Sequence, residues 1–330
     1  MKLTQSTKDA ILTMKAQGFS SRHIGRVLNI GKSTVNDFLA AQRKVDEKVL
    51  ETLGTLTEMV KDQRKRLEEV GLIRTSPRIL IIDIETAPFL AYTFRRWKAN
   101  IGQENVEKEG YILCYAAKWF GDDNIIFSRI QEPENDFEIV KEMKALIDQA
   151  DIVIAHNAVG FDLPTIATRM LFHGMTPFAP HKVVDTLKIA KQQFRFPSNS
   201  LESIAAYLGL NEQKMKHSGF GLWKRVMQMD EEAWNEMEEY NIQDILVLEK
   251  VYEKLRSWDK FAPNMALYTA SSVPRCVVCA SDKLEKLDKL SHTALSSFHT
   301  MRCKCCGKYS RMRTNLRSKE QMQATLTNVM

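Results

Sequence analysis

Three groups of residues in this chain have types and spacings that could do chemistry. Asp83 and Glu85 stand two apart in RILIIDIET. Alternate residues of a strand share a face, so both carboxylates point the same way. Held that close, they repel unless a cation lies between them. Asp162 follows DIVIAH in the segment HNAVGFDLPTI, near a helix start, where the helix N-terminus favours negative charge. Tyr240 and Asp244 lie four apart in YNIQDILVLEKVY, a spacing that stacks them on one helix face. Asp244 is surrounded by Ile242, Ile245, Leu246 and Leu248, and a desolvated carboxylate is costly without a partner or a metal. Each acid alone has a plainer reading. DxE is a common pattern, Asp162 could simply cap its helix, and Asp244 could pair with a neighbouring Lys or Arg.

The cysteines form the third group. Five of the six crowd into Cys276–Cys306, as CVVC, then 23 residues, then CKCC. Cys276, Cys279, Cys303 and Cys306 make two CxxC pairs at a separation that suits four thiolates around one structural Zn²⁺, a closed site with no catalytic role. In a chain with no export signal, the clustering favours metal over disulfides. Cys305 is a spare thiol, and Cys114, alone in YILCYAAKW, reads as a buried small hydrophobe.

The elements that must position these groups follow from the hydrophobic pattern. From Arg78, strands (RILIIDIET, YILCYAAKWF, NIIFSRI, DIVIAH, HKVVDT) alternate with helices, the last running from about Glu231 to Leu255. This predicts an α/β domain over 76–262. Residues 4–41 read as three helices, with SSRHIGRVLNIGKSTVNDFL spaced as a helix-turn-helix: Asn29 and Gly31 at the turn, Gly25 small at the crossing, Ser33 as a cap. The expected division is a helix-turn-helix over 1–43, a helical linker over 44–75, the α/β domain, and a zinc ribbon with a basic tail over 263–330. Within the linker, Val49, Leu53, Leu56, Val60, Gln63, Leu67 and Val70 repeat at alternating four- and three-residue steps. Residues 49–70 could therefore pair in a homodimer or pack on the chain's own body.

Charge divides the same way. Residues 1–74 carry 14 Lys/Arg against 9 Asp/Glu, residues 264–330 carry 11 against 4, and the middle is net acidic in a chain of net charge +6. Basic flanks suit a polyanion and an acidic middle suits metal cations. No apolar run approaches the ~18–20 residues of a membrane span, and the N-terminus is no signal peptide. A location in the cytoplasm, bacterial or phage-infected, is expected.

DxE on a first strand, N-x4-D after a later strand and YxxxD on a final helix, in that order, resemble the three motifs of DnaQ-like exonucleases of the ribonuclease H-like superfamily. The resemblance covers roughly 78–255, and Tyr240 places it in the DEDDy branch. It implies a mixed sheet flanked by helices, 3′→5′ polarity and release of nucleoside monophosphates. It also implies two Mg²⁺ or Mn²⁺ held by oxygen ligands. Asp83 would bridge both ions, with Glu85 and Asp244 completing one site and Asp162 serving the other. Tyr240 would orient the attacking water, Asn157 would lie near the terminal nucleotide, and Asp185 would support the site or serve the fold alone. Lys214 and Lys216 could grip the substrate backbone. The N-terminal unit resembles those of resolvases and transposases, so that Lys32 and Asn36 would be exposed on its second helix, Asn36 could read an adenine, and Arg22, Arg26 and Arg43 could hold phosphates. In the tail, Lys308, Arg311 and Arg313 could track phosphates. The duplex-type reader favours DNA over RNA. The competing readings are a transposase-like or structure-specific endonuclease, a non-catalytic DNA-binding regulator and an exoribonuclease.

Overall fold

The structure, a computed structural model, describes residues 3–69, 76–95, 97–210, 219–269 and 271–327. The chain divides into two compact units, 1–74 and 75–330. No described helix is long and apolar enough to cross a membrane.

In the first unit, α1 (Gln5–Ala16), α2 (Ser21–Val27) and α3 (Lys32–Glu69) bury Ile11, Ile24 and Val35 against one another. Thr4 and Ser20 cap the first two helices by accepting from backbone N–H groups. Asn29 takes the left-handed backbone expected at the turn, with φ 53°. A Cβ on Gly25 would stand 2.8 Å from the Ile30 carbonyl oxygen, so only glycine lets α2 meet the turn this closely. Two expectations are corrected. Ser33 lies inside the first turn of α3 and does not cap it, and the helix continues without a break through the expected boundary at 43. The run of helix-favouring Ala, Gln, Arg, Lys and Glu over 40–48 offers no stop signal there. On α3, Val49, Leu53, Leu56 and Val60 are exposed. The side chain of Leu67 and all of Val70 lie outside the description.

The second unit holds the α/β domain and the cysteine-rich segment. Its elements begin with β1 (Ile79–Thr86), β2 (Leu90–Ala91), β3 (Val106–Lys108), β4 (Ile112–Trp119), β5 (Ile125–Arg129), α4 (Phe137–Gln149), β6 (Ile152–Ala155), α5 (Asp162–Phe172) and β7 (Lys182–Asp185). They continue with α6 (Thr186–Gln193), α7 (Leu201–Tyr207), α8 (Phe220–Met227) and α9 (Glu231–Leu255). Three strands follow, β8 (Leu284–His292), β9 (Ser297–Cys303) and β10 (Tyr309–Arg311), and a short helix, α10 (Lys319–Gln323).

The main sheet has the order β5-β4-β1-β6-β7. β4 runs antiparallel to β1, whereas β6 runs parallel to it and β7 parallel to β6. The Ile-rich β1 is central because both its faces are covered. Leu80, Ile82 and Ile84 join one apolar cluster with α4, α5 and α8, and Ile81 joins another with α6, α7 and the later turns of α9. That alternation sends Asp83 and Glu85 to one face.

Polar clasps fix the helices over the sheet. Buried Lys118 on β4 pairs with Glu249 on α9. Asp136, fully buried before α4, accepts from Arg169 Nε at 2.6 Å, Arg169 Nη2 at 2.8 Å and the Ile112 amide at 3.0 Å, and its carboxylate meets His173 Nε2 at 2.6 Å. Burial pushes the Asp136 carboxyl up, but Arg169, His173 and the Ile112 N–H outweigh it and hold it below its usual range. Its stabilisation is therefore present above the ordinary Asp pKa and lost as pH falls through the depressed one. Asp136→Ala would leave the largely covered Arg169 guanidinium uncompensated. Urea unfolding at pH 7 is expected to show this variant less stable by about 3 kcal/mol.

Candidate active site and metal centre

β1 carries Asp83 and Glu85 side by side, opposite Ala116 and Cys114 of β4. Small partners there leave room above the pair. The strand registers irregularly after Glu85, where the chain turns away. α9 crosses this face and brings in Asp244. One oxygen each from Asp83, Glu85 and Asp244 lie within 4.8 Å of one another. Three carboxylates so close form a donor set of hard oxygens, which suits Mg²⁺ or Mn²⁺.

Tyr240 sits one turn before Asp244, almost wholly buried, with Trp223 of α8 edge-on at 6.1 Å between ring centroids. Burial, and then the charges of Asp244, Glu85 and Asp83, push its hydroxyl far above the usual tyrosine range. It therefore stays a neutral donor facing the acids. Cys114 is fully buried, and its thiol is pushed up by burial and then by Glu85 and Asp83.

Asp162 opens α5 and is almost fully buried. It lies outside the group of three. The backbone N–H groups of Asp162 and Ile84 favour its ionised form, which sets it beside the residue between Asp83 and Glu85. Burial outweighs them and, with the nearby charge of Asp185, raises the carboxyl to about 7. One of its oxygens finds no hydrogen-bond partner among the described residues. A cation would supply that partner.

Asp185 has a clear task. Its carboxylate accepts from the amides of Asn157 at 3.1 Å, Val159 at 3.2 Å and Lys188 at 3.2 Å. It thus caps α6 and fastens the loop leading to Asp162. Asn157 turns that loop with φ 82°. Lys214 and Lys216 lie outside the described residues.

One residue escaped the sequence reading. Asn241, fully buried on α9, donates from Nδ2 to Asp83 at 2.7 Å. This bond ties α9 directly to Asp83 and restrains the carboxylate's rotation. The available signal was a polar residue three before Asp244, on the same apolar helix face.

The cysteines gather as expected. Cys276, Cys279, Cys303 and Cys306 lie together, with Sγ–Sγ distances of 3.5 Å (Cys276–Cys306) and 3.6 Å (Cys279–Cys303). A tetrahedron of ~2.3 Å Zn–S bonds places sulfurs roughly 3.8 Å apart, and a disulfide about 2.05 Å, so the arrangement fits zinc. Burial pushes the Cys303 thiol up, but the backbone N–H groups of Cys306 and Cys305 and the thiols of Cys279 and Cys276 outweigh it, bringing it down to about 7. Cys305 is exposed and outside the cluster.

Around the cysteines, β8, β9 and β10 form a three-stranded sheet, and Met265 donates its amide to Val277 at 2.8 Å. Lys308 is half-buried, and its Nζ donates to the Asp259 carbonyl at 2.5 Å, which fastens the cysteine-rich segment to the end of the α/β domain. Arg311 stacks on Phe298 and stays exposed, as does Arg313. In the first unit, Arg22, Arg26, Lys32 and Asn36 are all exposed.

The RNase_H superfamily (RNase_H_2) matches residues 104–256. Asp162, Tyr240 and Asp244 fall inside that span, while β1 precedes it. Together with the mixed five-stranded sheet, the match makes this a ribonuclease H-like fold. Among solved structures, the family B DNA polymerase of the hyperthermophilic archaeon Pyrobaculum calidifontis is similar at 16% identity and a TM-score of 0.40, over 55% of this chain and 25% of that one. The chain thus spans about a quarter of that polymerase, and so slight a likeness carries no argument. No curated protein matches.

Elemental analysis of the purified chain is expected to give one zinc per molecule, and Cys276→Ser to lose most of it. Less than one zinc in the wild-type chain would remove the four-thiolate assignment.

Proposed function

We propose that the chain is a metal-dependent 3′→5′ exonuclease that releases nucleoside monophosphates from nucleic acid, DNA in preference to RNA. The observation that carries this reading is the meeting of Asp83, Glu85 and Asp244 under the Tyr240 hydroxyl. A ribonuclease H-like domain around such a cluster supports a nuclease in general. Polarity and mononucleotide release rest on the motif order given above.

Asp83, Glu85 and Asp244 would hold one Mg²⁺ or Mn²⁺, and Asp83 with Asp162 a second. When bound, these ions supply positive charge that lowers the pKa of water and neutralises the scissile phosphate. The protein's own part is positioning. Asn241 holds Asp83 in one orientation. Asp162, raised to about 7, must give up its proton before it can hold a cation. Tyr240 keeps its proton and can donate a hydrogen bond to the attacking water. Asn157, on the loop fastened by Asp185, would meet the terminal nucleotide. Lys214 and Lys216 remain proposed backbone contacts. The four cysteines would hold structural Zn²⁺. Through Arg22, Arg26, Lys32 and Asn36, the first unit would bind duplex DNA, and the exposed leucines and valines of 49–60 would serve a homodimer. Arg311 and Arg313 would add phosphate contacts.

With Mg²⁺ or Mn²⁺, a 5′-labelled single strand is expected to shorten stepwise from its 3′ end, while circular single-stranded DNA survives. Asp83→Ala and Asp244→Ala should each cut the rate by roughly three orders of magnitude, about 4 kcal/mol of barrier. Tyr240→Phe should cost about a hundred-fold. Full activity in folded Asp83→Ala or Asp244→Ala would overturn the assignment, and cleavage of the circle would make the enzyme an endonuclease.

Duplex binding tests the first unit separately. Arg22→Ala with Arg26→Ala should weaken affinity for blunt duplex DNA and reduce the slope of log affinity against log salt by about 2. An unchanged slope would remove both arginines from the interface.

A further inference from the structure

Between β1 and β4 the chain makes an excursion that the carboxylate site does not use. It leaves at Ala87 and returns at Tyr111, closed by the Ala87 amide donating to the Tyr111 carbonyl at 2.8 Å. The base of the excursion is thus two residues from Glu85. β2 and β3 pair antiparallel within it, and the Tyr92 amide donates to the Asn105 carbonyl at 2.9 Å.

The outer part is unusual in what it exposes. Tyr92 is 72% exposed, Trp97 85% and Phe94 fully so, and Phe89 stands half exposed at their foot. Rings this size are normally buried, and several together on a surface mark a binding site. The outer part of the excursion carries cations, and acids follow on its return, where Glu104, Glu107 and Glu109 stand and Glu107 meets the Tyr92 hydroxyl. Residues 88–103 contain Arg95, Arg96 and Lys98 and no Asp or Glu. Arg95 and Lys98 are exposed and form no ion pair among the described residues. A cleft of about 310 Å³ opens here, lined by Tyr92, Phe94, Arg95, Lys98 and Asn105 among others.

Exposed rings alternating with unneutralised cations match one chemistry closely: a polyanion whose repeating units carry flat faces. A duplex hides those faces in its own stack. An apolar protein surface would have to desolvate the cations. We propose that residues 87–111 form a base-stacking platform for unpaired nucleic acid, with Tyr92, Phe94 and Trp97 taking successive bases and Arg95 and Lys98 their phosphates. The proposal rests on the nuclease reading for the polymer bound, and it adds where unpaired bases lie, on a segment rooted beside Glu85.

The test uses the full chain carrying Asp83→Ala, so that the probe survives, without added divalent cations. The probe is a 12-nucleotide single strand with 5-iodouracil near its 3′ end and a 5′ fluorophore. Photo-crosslinks are expected in the peptide holding Tyr92–Lys98. Phe94→Ala with Trp97→Ala should weaken single-strand binding about ten-fold or more. It should leave blunt duplex affinity within two-fold. Trp258→Ala, removing an exposed ring elsewhere, should change neither. Crosslinks confined to other peptides, unchanged single-strand affinity in the double variant, or a dimer that falls to monomer in that variant would each overturn the platform. Loss of the nuclease reading would show differently, as wild-type binding intact without hydrolysis.

Discussion

The second unit is organised around a repulsion. Three carboxylates from segments some 160 residues apart in sequence are held within 4.8 Å. Two charges ~4 Å apart repel by roughly 4 kcal/mol at an effective dielectric of 20. Something must hold α9 against β1 in spite of this. The apolar face of Ile245, Leu248 and Val251 buries against the sheet and supplies the attraction. The Lys118–Glu249 pair sets how far along the sheet α9 lies. Asn241 then gives Asp83 a donor from α9, beside the Tyr240 hydroxyl and the Asp244 carboxylate. Stability is thus generated away from the site and spent at one place, which is the pattern expected where chemistry demands an unfavourable arrangement.

Much of this was legible in the sequence because it is local. The two-residue period fixes Asp83 and Glu85 on one face, and the four-residue step stacks Tyr240 on Asp244, whatever the rest of the chain does. The CxxC pairs carry their geometry in their spacing. Long periodic elements such as α9 and α6 fall where the apolar pattern puts them. What the sequence did not disclose depends on partners distant in the chain. Asn241 is one polar letter in a helix until β1 lies beneath it. Asp136 looks like any acid before a helix until α5 delivers Arg169 and His173. Lys308 sits in a basic run whose charge suggests phosphates, yet an available carbonyl at Asp259 captures it. The excursion of 87–111 has only two short strands, too brief for a period of two to register.

The cysteine-rich segment serves the fold as well as its own cluster. Val278 and Cys279 line a cleft of about 210 Å³ together with Ile79, Phe120 and Tyr252. Ala280 packs against the same apolar cluster as β6 and the end of α9. Loss of the four-thiolate site would therefore uncover part of the α/β core. Its cations divide accordingly: Lys308 is committed to that junction, while Arg311 and Arg313 remain outside. A basic composition alone does not distinguish a phosphate contact from a tether.

Asp162 completes the electrostatic logic. An acid raised to about 7 by burial is half protonated at neutral pH when no cation is near. Asp83 and Glu85, only partly buried, keep more contact with water. The four acids therefore differ in burial, and the most buried, Asp162, has an oxygen with no hydrogen-bond partner among the described residues. Ionising all of them together requires positive charge from outside the chain. Asp83, Glu85, Asp162 and Asp244 would be the residues to hold a divalent ion, whose charge would favour the ionised form of Asp162. The cluster is therefore electrostatically incomplete on its own, and its balance depends on positive charge that the described side chains around it do not supply.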